Sequence, residues 1–391
     1  MKKSVIGIIL YFLILHVLIP GAYYLFNGFV PIYTDLIDIP ALIKSAVLII
    51  LPISLSLIVL YLLPKDQEIA PNIEGKPVTE LFYFSVLFKL AVFYYFGGFA
   101  SIINGEVNGT FSNYFSLFFN PFILLLVVLF VQKKRTNIIL AVLFYVISIT
   151  LSGSRSGILA IFFVFMIGYS FQTFQGYKNK LYSFLKYSLL VSPLLFIYAT
   201  SIRGAADTID KSVLLNQIVG RMSTLETSMM PLYFYHNNMD MELFYDKYGF
   251  WNQLKLILDG IIPGQIFDYD VMPNNYYRAI FMGYSKSFVV ENYMSINLTL
   301  PIYLYLKYSY LSIIFTILYV LGFYKVVLAL KNYPLLVVVV LSVFYNVIYF
   351  FDWVMVFSQI YTALLTVLCL KMYVFFRNEV IVGLKRDLNE Y

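Results

Sequence analysis

Apolar residues run through this chain in long stretches broken by short charged junctions, and that pattern leaves few folds open. About twenty apolar residues make a helix that crosses a hydrocarbon core of about 30 Å, whereas a membrane β-strand alternates and needs only about ten. About ten such stretches can be read, near residues 5–25, 39–63, 81–103, 111–131, 137–151, 157–174, 181–199, 308–330, 334–351 and 353–376. The chain is 61% hydrophobic and only 12% charged, where soluble domains average about 25% charged. The expected fold is an all-α polytopic membrane protein of about ten transmembrane helices. Lys2-Lys3 ahead of the first stretch imitates a signal peptide. That stretch is too long and shows no small-residue cleavage site, so it reads as an uncleaved span. The single cysteine, Cys369, leaves no intrachain disulfide.

Lysine and arginine in the short connections fix the expected orientation. Lys2, Lys3, Lys65, Lys76, Lys133, Lys134, Arg135, Lys178, Lys180, Lys325, Lys331, Lys371, Arg377, Lys385 and Arg386 fall on one side, and among short connections only Arg155 falls on the other. The positive-inside rule then puts both termini in the cytoplasm. Three parts follow: an N-terminal bundle of about seven helices over 1–199, a large periplasmic loop with short amphipathic helices over 200–307, and C-terminal helices with a cytoplasmic tail over 308–391. Between Ser201 and Tyr293, seven basic residues face ten acidic ones. The net charge of +6 therefore comes from the cytoplasmic side, and it reports topology, not nucleic-acid binding.

The charge that most needs a purpose is Arg155, in Leu151-Ser152-Gly153-Ser154-Arg155-Ser156-Gly157. Arginine at such a junction meets an anion, a partner or water. The preceding span rises only about 22 Å at 1.5 Å per residue, so the junction is expected near headgroup depth, where a lipid-linked phosphate lies. Gly153 and Gly157 permit a tight turn, and Ser154 or Ser156 can cap the next helix, whose N-terminus attracts anions. A lipid headgroup or a neighbouring helix end is the plainer alternative partner.

Arg203, Arg221 and Arg278 make four outward arginines with Arg155, out of seven in the chain. Arginine grips phosphate bidentately, although salt bridges within an acidic loop would use the same residues. Three groups are candidate bases. His236, in Tyr235-His236-Asn237, is either a base or an ordinary surface histidine. Glu291, where the loop returns to apolar sequence, and Glu226 are carboxylates whose partial burial would raise the pKa to a useful value. His16, inside the first span, reads as packing or hydrogen-bonding within the bundle. Tyr276, Tyr277 and Trp251 lead an aromatic-rich loop that suits either sugar faces or an interfacial belt. Asp35, Asp38, Asp268 and Asp270 read as turn and capping residues in preference to a metal site. No zinc spacing and no Walker or dinucleotide glycine motif is present, so neither metal, ATP nor NAD is expected as cofactor.

Ser152-Gly153-Ser154-Arg155-Ser156-Gly157 heading one helix resembles the Wzy-type O-antigen and capsule repeat-unit polymerases, relatives of the O-antigen ligases. The same resemblance runs through a late outer loop carrying Arg203, Arg221-x4-Glu226, Ile261-Ile262-Pro263-Gly264 and Glu291. The likeness covers most of the chain in layout and a few short stretches in motif. It implies a GT-C-like, metal-independent, inverting glycosyltransferase of the bacterial inner membrane with its site facing the periplasm. Donor and acceptor would both be undecaprenyl-pyrophosphate-linked glycans, with a chain-length regulator and a flippase as partners in the bilayer. The arginines would neutralise the pyrophosphate leaving group. The ligases use a loop histidine as presumed base, and His236 does not align with it clearly. Three other readings stand beside this one: a flippase for the same lipid-linked repeat, with Lys44, Lys89 and Lys186 as charges inside spans, an O-antigen ligase, and a non-catalytic membrane assembly component, which the four outward arginines disfavour.

Overall fold

The computed structural model describes residues 1–29, 38–64, 75–95, 118–132, 134–151, 215–216, 219–220, 222–237, 249–261, 298–349, 351 and 353–389. Helices account for the structure, and no strand occurs among the described residues. In chain order they are α1 (Lys2–Asn27), α2 (Ile39–Leu62), α3 (Gly75–Tyr95), α4 (Pro121–Val131), α5 (Arg135–Leu151) and α6 (Leu225–His236). There follow α7 (Phe250–Ile261), α8 (Leu300–Tyr308), α9 (Ser312–Ala329), α10 (Pro334–Tyr349) and α11 (Trp353–Asn389). Among the described residues, five stretches are long and apolar enough to cross a membrane: Lys2–Asn27, Ile39–Leu62, Lys76–Tyr95, Leu300–Ala329 and Val356–Val380. Pro121–Val131, Thr136–Ile149 and Leu335–Tyr349 are shorter apolar helices. The chain is an all-α membrane protein, as its apolar runs require. The stretches 157–174 and 181–199 lie outside the described residues.

The helix starts follow local chemistry. Asp38 caps α2 by accepting from the Ala41 N–H at 2.9 Å, with Pro40 in the first turn. This is the capping role expected of Asp38; Asp35, Asp268 and Asp270 lie outside the described residues. Asn120 caps α4 by accepting from the N–H groups of Phe122 and Ile123, with Pro121 next. A proline at these positions loses no helical bond and arrives with φ already set. At the far end of α2, the Lys2 ammonium donates to the carbonyls of Tyr61 (2.7 Å) and Leu63, so α1 and α2 lie antiparallel.

α4 is the centre of the bundle. Pro121 and Ile123 through Val131 are all buried, which marks a helix enclosed on every side. It packs against α3, α5, α10 and α11. Polar side chains close its ends: the Gln132 amide donates to Thr79 Oγ1 at 2.8 Å, and the Asn120 N–H donates to Thr366 Oγ1 at 3.2 Å. Arg377 of α11 and Glu80 of α3 pair at 2.9 Å near one end of the bundle.

The apolar stretch Leu300–Ala329 folds back on itself. A 3₁₀ turn at Ser309–Leu311 separates α8 from α9, and Ser309 takes φ 53°. Tyr308 packs on Phe315 with centroids 4.8 Å apart, and Tyr303 and Tyr319 both lie against Phe351. In a continuous helix, residues 303 and 319 would stand about 24 Å apart. α8 and α9 are therefore a hairpin. Residues 300–307, read from the sequence as the end of the outer loop, are helical and mostly buried. Their Tyr- and Lys-punctuated composition hides an inward-facing helix.

α1 carries a π-helical turn at Ile14–Leu18. Pro20 accounts for it, because proline offers no N–H to the carbonyl four residues earlier and its ring crowds that carbonyl. The carbonyl concerned is that of His16, and Thr224 takes it up. The Thr224 N–H donates to His16 O at 3.0 Å and the Thr224 hydroxyl at 3.2 Å.

Gly28 ends α1 at φ 80° and ψ 157°, a conformation close to glycine-only. No atom of the described residues would crowd a Cβ there, so the expected cost of Gly28→Ala is conformational. Gly28→Ala is expected to cost about 1–3 kcal/mol. Gly322→Ala, also in open space but within α9, is expected to be neutral or stabilising. Thermal unfolding in detergent compares the two, and equal melting temperatures would contradict the expectation.

Candidate functional site

α6 belongs to the stretch between the spans, yet it is sunk into the bundle. Leu225 through Leu232 are all buried, including Glu226, Thr227 and Ser228. It packs against α2 and α8. Three anchors hold its beginning. Leu225 lies against Gly21 of α1, and the Ser45 hydroxyl of α2 donates to Leu225 O at 3.2 Å. His16 supplies the third: its Nδ1 meets the Met222 carbonyl at 2.6 Å and its Nε2 meets the Tyr345 hydroxyl at 2.8 Å. A carbonyl only accepts, so Nδ1 carries the proton and Nε2 accepts from Tyr345. The His16 ring also lies 4.3 Å from that of Tyr349, which stacks on Tyr345 at 13°. His16 is thus 1% exposed and joined to two distant parts of the chain, consistent with the packing and hydrogen-bonding role read for it.

Glu226 sits in the first turn of α6 at 0% exposure. A carboxylate there faces the positive end of the helix dipole. His236 ends the same helix, exposed. Ten residues of rise put Glu226 and His236 about 15 Å apart along the axis. They are therefore opposite ends of one strut and not an acid–base pair.

The exposed end is a polar cluster. The Lys44 Nζ of α2 lies 2.5 Å from His236 Nε2. Lysine only donates, so Nε2 accepts and the imidazole is neutral. Burial and then the Lys44 charge hold the His236 pKa below its ordinary value, and the Asp38 carboxylate pulls it the other way. Lys44 also stands 5.4 Å above the Tyr305 ring of α8. Tyr235 and Tyr310 pack edge-on against Tyr305 at 6.0 and 5.6 Å. A histidine whose basic nitrogen already accepts from an ammonium, and whose basicity is depressed, is a poor general base. The ammonium and the aromatic wall instead suit an anion carried beside a sugar.

Trp251 stands 73% exposed on α7, which packs against α11, a different pair of elements. Arg155, Arg203, Arg221, Arg278, Glu291, Tyr276 and Tyr277 lie outside the described residues. Arg221 directly precedes Met222, whose carbonyl His16 holds. Sequence reasoning noted Lys44 only as a charge within a span. The signal available was a lysine one turn inside α2, level with a histidine whose helix had no apolar run to mark it.

The predicted titration of His236 can be followed by diethyl pyrocarbonate, since His16 is buried and His236 exposed. Modification of the neutral imidazole should show a midpoint below the ordinary value of about 6.5. Lys44→Met removes a positive charge that disfavours the imidazolium, so the midpoint should rise. An unchanged midpoint would show that Lys44 does not act on His236. Set against known proteins, the chain matches no protein-family model, no curated protein and no solved structure.

Proposed function

We propose that this chain polymerises lipid-linked oligosaccharide repeat units. It would transfer the growing glycan from undecaprenyl pyrophosphate to the non-reducing end of a new undecaprenyl-pyrophosphate-linked repeat, at the periplasmic side of the bacterial inner membrane. One observation carries the reading: a polar helix from the stretch between the spans is set into the apolar bundle, with Glu226 buried at one end and Lys44–His236 open at the other. A lipid-linked substrate keeps its phosphates at headgroup depth, so its enzyme needs polar groups recessed into the membrane.

In the proposed reaction the acceptor hydroxyl attacks the anomeric carbon of the donor's reducing-end sugar with inversion. The bond from that carbon to the pyrophosphate oxygen breaks, and the leaving group departs as undecaprenyl pyrophosphate. Arg155, Arg203, Arg221 and Arg278 would take up the charge that develops on it. A carboxylate, Glu226 or Glu291, is the better base for the acceptor proton, because Lys44 already occupies His236. The pyrophosphate linkage supplies the driving force, so no ATP is required.

Lys44 within α2 is the feature that favours a flippase for the same lipid-linked repeat. Lys89, the other described lysine of that reading, lies exposed on α3. Surface glycan from a strain lacking this gene separates the readings. Lipid A core bearing one repeat and no ladder supports the polymerase. Loss of every repeat overturns it in favour of export or ligation, which the leaflet holding the accumulated lipid-linked glycan then tells apart. Arg155→Ala and Arg203→Ala are each expected to abolish long chains while the protein still inserts. Wild-type chain lengths from both well-expressed variants would sink the assignment of these arginines.

A further inference from the structure

We infer that His16 and Pro20 are positioning residues: together they form the socket in α1 that holds α6 inside the bundle. The inference rests on the polymerase reading only for what the held helix is for. The socket has two parts. Pro20 removes the N–H that would have closed on His16 O, and the π-helical turn presents that carbonyl sideways. The Thr224 N–H and hydroxyl fill it from the stretch between the spans. The His16 side chain then grips the Met222 carbonyl two residues earlier. One residue of α1 thus holds both sides of Ser223, immediately before α6 begins.

The bonding around this socket is closed. Thr224 is the N-cap of α6 but makes no side-chain cap bond to it, because its hydroxyl is committed to His16. The Ser223 hydroxyl accepts from the Leu225 N–H at 3.1 Å instead. Tyr345 supplies the hydroxyl that fixes the His16 tautomer, so α10 sets which ring nitrogen faces Met222. Thr224, Met222 and Tyr345 are therefore not interchangeable contacts. Each completes a donor–acceptor pair that α1 cannot complete alone.

The socket makes a prediction that runs against helix propensity. Pro20→Ala gives α1 an N–H for the His16 carbonyl and makes it a better helix. The same N–H competes with Thr224, so the variant should loosen α6. His16→Ala should loosen it too. His16→Asn should not, because its amide can still donate toward Met222.

The reporter is a cysteine at position 228 in the full-length protein with Cys369→Ala. Ser228 is fully buried and its hydroxyl makes no hydrogen bond, so Ser228→Cys removes no partner. Labelling uses a membrane-impermeant maleimide on sealed, outward-accessible cells. A control reporter, Ser342→Cys, sits buried in α10. With the socket intact both stay unreactive. Pro20→Ala and His16→Ala should speed labelling at position 228 roughly ten- to a hundredfold, as local opening gains the free energy of the lost bonds. His16→Asn and the control position should not change.

Equal reactivity at position 228 in all forms overturns the inference. Equal acceleration at positions 228 and 342 overturns it as well, since the residues would then stabilise the bundle at large. Labelling needs no substrate, so this test stands if the polymerase reading fails. Glycan length gives the second readout. Shortened chains with His16→Ala, restored by His16→Asn, support a positioning role. Unaltered chains alongside faster labelling overturn that role.

Discussion

Pro20 cannot donate a hydrogen bond, so the carbonyl of His16 loses the donor that an α-helix would supply four residues on. An amide oxygen without a donor costs on the order of several kcal/mol in an apolar interior. The protein resolves this by bringing in a distant residue, Thr224, from more than two hundred positions away. Much of the arrangement around α6 depends on that choice. The segment from Met222 to Leu225 has to lie against α1, α6 has to start inside the bundle, and Lys44 and Ser45 of α2 have to receive its two ends. What looks like a helix defect in the first span is an acceptor for a part of the chain that would otherwise lie outside.

The sequence showed its spans well where apolarity alone decides. Residues 39–63 and 137–151 match α2 and α5 to within two residues at each end. It showed α6 and α8 poorly, for a physical reason. Leu225–His236 contains Glu226, Thr227, Ser228 and His236, and Leu300–Tyr308 alternates tyrosine with leucine. Neither is apolar enough to register as a membrane helix. Each is buried by protein and not by lipid, and burial by protein leaves no hydropathy signature. The π-turn was legible in principle, because a proline four residues after a histidine in an apolar run names the carbonyl that will need help.

The candidate site was legible as a set of residues and not as an arrangement. His236 and Glu226 were both visible as titratable groups in the same stretch. Only the helix between them shows that they face different surroundings, one at the open end beside Lys44 and one in the packed interior. Sequence proximity had made them rivals for one role. Lys44 went the other way: it read as an isolated charge in a span, and the fold gives it a histidine, a tyrosine face and a nearby carboxylate.

α4 carries a consequence for how the protein is made. At eleven residues it rises only about 16 Å, about half of a hydrocarbon core, and its polar ends are closed by other helices. Thr79 has already been synthesised when Gln132 needs it, but Thr366 follows Asn120 by 246 residues. The bond that closes this end of α4 therefore cannot form until α11 has been made. A chain truncated before α11 lacks the acceptor that the Asn120 N–H uses at this end of the central helix.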